Sequence, residues 1–266
     1  MARPQSVLGI RPASTLGIDI ILTVDTSGSM KALDLDSDRP IYNRRTRLQV
    51  VKDVVAQFIK KRNQDQIGLV VFGVEAFLQC PLTLDHHILT VLLDRMQNGM
   101  AGEATAIGSG IGAAVNRLKK SKAKSRVMVL LTDGINNAGP LSPMLAAEIA
   151  KTFDVKIYTI GVGTRGEAPF IVEQPFFGKS IVYDEVSIDE DALREVANIT
   201  GGEYFRAENT KSLENIYKQI DKLEKSQSDT PAIIDYDEHA PVFIGIALAM
   251  LIFEILILGT WLRRLP

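Results

Sequence analysis

Ile18-Asp19-Ile20-Ile21-Leu22-Thr23-Val24-Asp25-Thr26-Ser27-Gly28-Ser29-Met30 decides how the rest of the chain is read. The run 18–25 is too apolar and β-rich for a surface loop and too short for a free-standing helix. It predicts a buried parallel strand. The strand ends in Asp-x-Ser-x-Ser, which places one carboxylate and two hydroxyls on a tight loop. These are hard oxygen donors, suited to Mg²⁺ or Mn²⁺ rather than to a soft metal. The C-terminal end of such a strand is where open α/β sheets place ligands. Taken alone, a helix-capping Asp/Ser cluster would look similar.

Two further segments favour the metal. Ser125 to Gly134 is a second buried-strand pattern, and it ends in Leu131-Thr132-Asp133-Gly134. Between the two lies the Gly-rich loop Gly102-Glu103-Ala104-Thr105-Ala106-Ile107-Gly108-Ser109-Gly110, which opens a helix and supplies a third hydroxyl at Thr105. Asp25, Ser27, Ser29, Thr105 and Asp133 form a set from three loops able to surround one small divalent cation. Its two carboxylates would cancel the charge of that cation.

This arrangement resembles the von Willebrand factor type A (vWA) domain and its metal-ion-dependent adhesion site, with all five motif positions present. The resemblance covers about residues 12–225. The runs Phe77 to Asp85, Leu131 to Gly139 and Tyr158 to Thr164 resemble more narrowly the bacterial aerotolerance (Bat-type) membrane proteins, nearest the A member of that group. The resemblance implies an α/β fold with a doubly wound, mostly parallel six-stranded sheet and one antiparallel edge strand, vWA/Rossmann-like. It implies binding rather than catalysis, with Mg²⁺ as cofactor (Mn²⁺ or Ca²⁺ as alternatives). Asp25 and Asp133 would hold the cation, Ser27, Ser29 and Thr105 would add hydroxyls, and an open position would take a partner protein's carboxylate. The partners implied are sibling vWA/Bat-type proteins and a MoxR-type AAA+ ATPase system. Two alternatives stand beside this reading: a metal-dependent hydrolase using Asp25 or Asp133 as base, and a purely structural metal site. The sequence shows no nucleophile paired with a base, no histidine near the metal set and no Walker-type phosphate loop, so no enzyme activity is expected.

The 266 residues allow one α/β domain plus an appendage. Lys and Arg number 30 against 32 Asp and Glu, a net charge of −2, which gives no bulk-charge case for nucleic-acid binding. A single cysteine, Cys80, excludes an intrachain disulfide and reads as a small core residue. Strands and helices alternate. Strands are expected at about 18–25, 66–73, 76–80, the run before Asp133, 155–162 and 203–206. Helices are expected at about 47–62, 85–96, 106–120, 142–153, 189–199 and 209–225. The short connection between 66–73 and 76–80 forces an antiparallel hairpin at the sheet edge.

The loop Lys31 to Arg47 carries Asp34, Asp36 and Asp38, then Arg39, Arg44, Arg45 and Arg47. It lacks the Gly and distal Glu of a calcium loop and reads as a solvated charged loop beside the metal residues. Residues 164–181 read as an insertion near the top of the sheet. His86, His87 and His239 fit no ligand pattern and read as surface residues.

From Pro241 to Leu262 the chain is apolar apart from Glu254 and Thr260, with Trp261, Arg263 and Arg264 at its end. This predicts a C-terminal transmembrane helix over 240–262, a linker at 226–239 and a cytoplasmic tail at 263–266. The domain would then be periplasmic, on a bacterial inner membrane. Glu254 would be costly in lipid and is the expected contact for a partner helix. Residues 1–11, beginning Met1-Ala2-Arg3-Pro4-Gln5, carry no signal-peptide pattern and read as the end of a preceding transmembrane helix.

Overall fold

The computed structural model describes residues 5–11, 18–62, 64–174, 178–227, 233–238 and 240–260. They divide into two compact units, residues 16–227 and the two ends of the chain.

In the larger unit β1 (Asp19–Asp25) leads through two 3-10 turns into α1 (Arg47–Lys60), followed by β2 (Gln66–Phe72), β3 (Ala76–Thr83), α2 (His86–Asp94) and α3 (Ile107–Leu118). Then come β4 (Arg126–Thr132), α4 (Pro143–Thr152), β5 (Val155–Val162), the pair β6 (Gly166–Gln174) and β7 (Gly178–Val186), α5 (Glu190–Thr200), β8 (Tyr204–Ala207) and α6 (Thr210–Gln227). The main sheet has the order β3-β2-β1-β4-β5-β8. All its neighbours are parallel except β3, which pairs antiparallel with β2 at the edge. The expected six-stranded mixed sheet is therefore present.

Alternation along β1 explains the double winding. Ile20, Leu22 and Val24 join the core formed with α1, α2 and α6, while Ile21 points into the core formed with α3, α4 and α5. On α1, Leu48, Val51, Val54, Val55, Phe58 and Ile59 are buried at helical spacing, and Thr46 starts the helix with a capping box to Gln49. Cys80 is a buried free thiol.

The stretch read as an insertion is a ribbon, β6 paired antiparallel with β7 from Gly166↔Val186 to Gln174↔Gly178. It is tied to the loop after β1 by Leu33 N–H, which donates to the Pro169 carbonyl at 2.9 Å. The solvated reading of the charged loop is corrected: Asp34, Asp36 and Arg47 are buried. Their burial is possible because each carboxylate is matched by a guanidinium, Asp34 by Arg47 and Asp36 by Arg45.

In the smaller unit, strand Gln5–Arg11 pairs antiparallel with strand Ile233–Glu238, and a helix covers Ala240–Thr260. The first strand falls in the segment read as the end of a transmembrane helix, the second in the stretch read as linker. Among the described residues, no helix is long and apolar enough to cross a membrane. The expected transmembrane helix over 240–262 is corrected accordingly. His239, Trp261, Arg263, Arg264 and the tail to Pro266 lie outside the described residues.

Candidate metal centre

The central strands β1 and β4 are parallel neighbours, in register from Asp19↔Arg126 to Val24↔Leu131. Asp25 and Asp133 therefore emerge side by side where both strands end. Both carboxylates are buried, at 0 % and 1 % exposure. Ser27 N–H donates to Asp25 Oδ1 at 2.8 Å, and the Thr132 hydroxyl donates to Asp25 Oδ2 at 2.6 Å. The Ser29 hydroxyl donates to Asp133 Oδ1 at 2.6 Å, and Ser27 Oγ lies 3.2 Å from Ser29 Oγ. Four of the five expected residues thus form one hydrogen-bonded group.

Thr105, the fifth, is brought against the same loops. A Cβ placed on Gly134 would lie 3.1 Å from Thr105 Oγ1. The Asn136-Asn137 pair after Asp133 fixes this approach. Asn137 Oδ1 accepts from Thr105 N–H at 2.8 Å, Asn136 Oδ1 accepts from Ile107 N–H at 2.9 Å, and Thr105 C=O accepts from Asn137 N–H at 3.0 Å. The Thr105 loop is thereby locked to the Asp133 loop by side-chain amides that stand in for backbone partners. On the other side, Gly28 N–H donates to the Glu103 carbonyl at 3.1 Å. Glu254 belongs to the other unit, where it is an exposed residue of the C-terminal helix.

Burial, and then the negative charge of Asp133, push Asp25 up to about 7. Burial also raises Asp133, against the opposing pull of Arg47. Both effects follow from crowding two carboxylates in a place that water does not reach. The donors on Asp25 are neutral, a peptide N–H and a hydroxyl. Two buried carboxylates ringed by hydroxyls match the oxygen-rich, charge-neutralising demands of a small divalent cation. Among the described residues, no group of three or more His, Cys, Asp or Glu is placed to hold a metal ion. Any cation here relies on two carboxylates, hydroxyls and water.

Spacing alone does not reveal Arg47. Its side chain is fully buried and forms a fork on Asp34, with Nε to Oδ1 at 2.8 Å and Nη2 to Oδ2 at 2.6 Å. Its Nη1 donates to Asp133 Oδ2 at 2.8 Å. Asp34 also accepts from Thr164 N–H at 2.7 Å and from the Thr164 hydroxyl at 3.0 Å. Burial works to raise the Asp34 carboxyl, but the Arg47 fork outweighs it and holds that group below its ordinary value.

These strands, loops and buried carboxylates match one family model, the von Willebrand factor type A domain, over residues 19–219. The chain belongs to that family. An uncharacterised protein of Borreliella burgdorferi is 30% identical over 254 residues, which is 94% of this chain and 71% of that protein. A UPF0353 protein of Nocardia farcinica is 26% identical over 221 residues, 76% of this chain and 62% of its own length. Among solved structures, BatB from Bacteroides thetaiotaomicron shares 25% identity at a TM-score of 0.66, covering 79% of this vWA chain and all of that one. An aerotolerance-related membrane protein from Bacteroides fragilis gives 25% and 0.64, covering 77% and 100%. The fold is also that of proximal thread matrix protein 1 from the mussel byssus, at 22% identity and a TM-score of 0.58 over 78% of this chain and 46% of that one. That structure has a zinc-occupied metal-ion-dependent adhesion site motif.

Proposed function

We propose that this vWA domain is a divalent-metal-dependent protein-interaction module that takes a partner carboxylate at the Asp25/Asp133 site. One observation carries the reading. Two buried carboxylates from adjacent parallel strands share a closed set of hydroxyl donors, and Asp25 has only neutral ones. Asp25 and Asp133 would hold the cation, directly or through water, with Ser27, Ser29 and Thr105 as the hydroxyl ligands. A bound divalent cation, with Mg²⁺ as the expected ion, supplies a Lewis-acid anchor for a carboxylate oxygen. Ser29 and Thr132 orient the two carboxylates, while the Asn136-Asn137 pair holds Thr105 in place. Exposed Ile135 and the Lys31–Glu103 pair lie on the loops that carry these residues, exposed Val74 on the β2–β3 turn lies against Gly102 of the Thr105 loop, and together they would form the rim a partner meets.

The role is binding rather than catalysis in this reading. The Ser29 and Thr132 hydroxyls donate their protons to Asp133 and Asp25, which leaves the Ser29 oxygen a ligand through its lone pairs rather than an activated nucleophile. His86 bonds the Asp65 carbonyl, which lies before β2 at the opposite end of the sheet. The Bat-type likeness supports a place in an aerotolerance or assembly complex at a bacterial membrane. Sibling vWA proteins and a MoxR-type AAA+ ATPase are the proposed associates. The periplasmic placement depended on the C-terminal span and falls with it.

The test is calorimetric titration of Mg²⁺, Mn²⁺ and Ca²⁺ into the purified chain and into its Asp25→Ala variant. Saturable one-site binding that the variant loses is the expected result. Equal heats from both proteins would refute the assignment.

A further inference from the structure

Arg47 presents a puzzle that the metal reading alone leaves open. A permanent cation fully buried against Asp133 should repel a second cation at the same carboxylate. The structure resolves this through Asp34. Two of the three bonds from the guanidinium, at 2.8 and 2.6 Å, go to Asp34, and only one, at 2.8 Å, reaches Asp133. Asp34 is in turn fixed by the Thr164 N–H and hydroxyl.

We propose that Asp34 sets the metal affinity of the site by cancelling the charge of Arg47, so that Asp133 is held by the guanidinium yet keeps its charge for a cation. Asp34 is a positioning residue here, acting on the site through Arg47. The inference rests on the metal reading given above. It also accounts for two features of the run Tyr158 to Thr164. Gly163 has φ +127°, and any Cβ there would collide with the Arg47 guanidinium. Thr164 follows because its peptide N–H and hydroxyl both point at Asp34. The chain leaving β5 is thus shaped around the ion pair.

The charge balance separates this from a merely structural role. Asp34→Asn leaves Arg47 without its counter-ion and facing Asp133. Asp34→Asn combined with Arg47→Met removes both charges and leaves Asp133 bonded by Ser29. Mn²⁺ is titrated into the full chain and free Mn²⁺ is read by electron paramagnetic resonance, with thermal melting followed by circular dichroism. Asp34→Asn is expected to weaken Mn²⁺ binding by about tenfold or more, and the double variant to return within about threefold of the wild type. A single variant that melts lower but binds Mn²⁺ normally would overturn the inference and leave the metal site standing. If the single variant does not fold, the double variant decides: a loss of about tenfold or more there refutes the charge role. A wild-type chain that binds no Mn²⁺ would overturn the metal reading and this inference with it.

Discussion

Replacing Gly163 with alanine tests how tightly the β5 exit is fitted to the buried ion pair. The residue sits at φ +127°, where an L side chain is strained by ~1–3 kcal/mol. The new methyl group would also enter the space of the Arg47 guanidinium, which is fully buried and cannot retreat into solvent. Moving Arg47 off one of its carboxylates breaks a buried pair, worth about 3–5 kcal/mol. The two effects together should cost at least about 4 kcal/mol. At ~2–4 °C per kcal/mol for a domain of this size, the melting point falls by roughly 10 °C. Gly166→Ala is the matched control. That glycine has φ +89° with no atom within 4 Å of an added Cβ, so only backbone strain of about 1–2 kcal/mol applies. Thermal melts of the two variants side by side check the reasoning. Equal shifts would refute it, because they would mean that the contact with Arg47 costs nothing.

Three more expectations follow from other parts of the domain. Glu224 is buried and accepts from Tyr158 Oη at 2.7 Å, Lys156 Nζ at 3.0 Å and Ser125 Oγ at 3.0 Å, which pins α6 to the sheet. Glu224→Gln should cost about 2 kcal/mol in urea unfolding, and a change below about 0.5 kcal/mol would contradict the anchoring role. Hydrogen bonding from Arg45 outweighs burial and holds Asp36 below its ordinary 3.8, so its contribution is present above that value and is lost as pH falls through the lower folded value. Asp36→Asn should therefore flatten unfolding free energy measured from pH 5 down to about 2.5, while leaving acid sensitivity from other groups. Among the described residues, the buried Tyr217 hydroxyl has no hydrogen-bond partner. Tyr217→Phe should be neutral or raise stability by up to about 1 kcal/mol, and a clear loss would show that the hydroxyl is satisfied in solution.

The fold was legible because its signals are local. Each strand of the main sheet is an apolar run of seven or eight residues bounded by polar loops, except β8, which has four. The helices carry their apolar residues at i, i+3 and i+4, as Leu48 to Ile59 do on α1. The β6–β7 ribbon was missed as a hairpin because Pro169 and the charges Glu167, Glu173, Lys179 and Asp184 dilute its alternation, and its strands pair only with each other. The strand pair Gln5–Arg11 with Ile233–Glu238 was invisible for another reason: its partners lie more than two hundred residues apart. The C-terminal apolar run shows the opposite failure. Hydropathy read it as a span, yet among the described residues no helix meets the length and apolarity that crossing requires.

Sequence by itself brought out the set of oxygen donors proposed for the cation. Asp25, Ser27, Ser29 and Asp133 stand out by residue type and by their place where an apolar strand ends, and Thr105 by its place in the Gly-rich loop that opens α3. Tertiary structure alone decided the charge of the site. Arg47, Asp34 and Thr164 lie 86, 99 and 31 residues from Asp133 in the chain. No periodicity links them, and in sequence the acidic and basic residues around Asp34 look like any solvated loop. Only folding shows that the loop is drawn under the ribbon, where an unpaired charge would be prohibitive and a guanidinium shared between two carboxylates becomes the arrangement that can be buried.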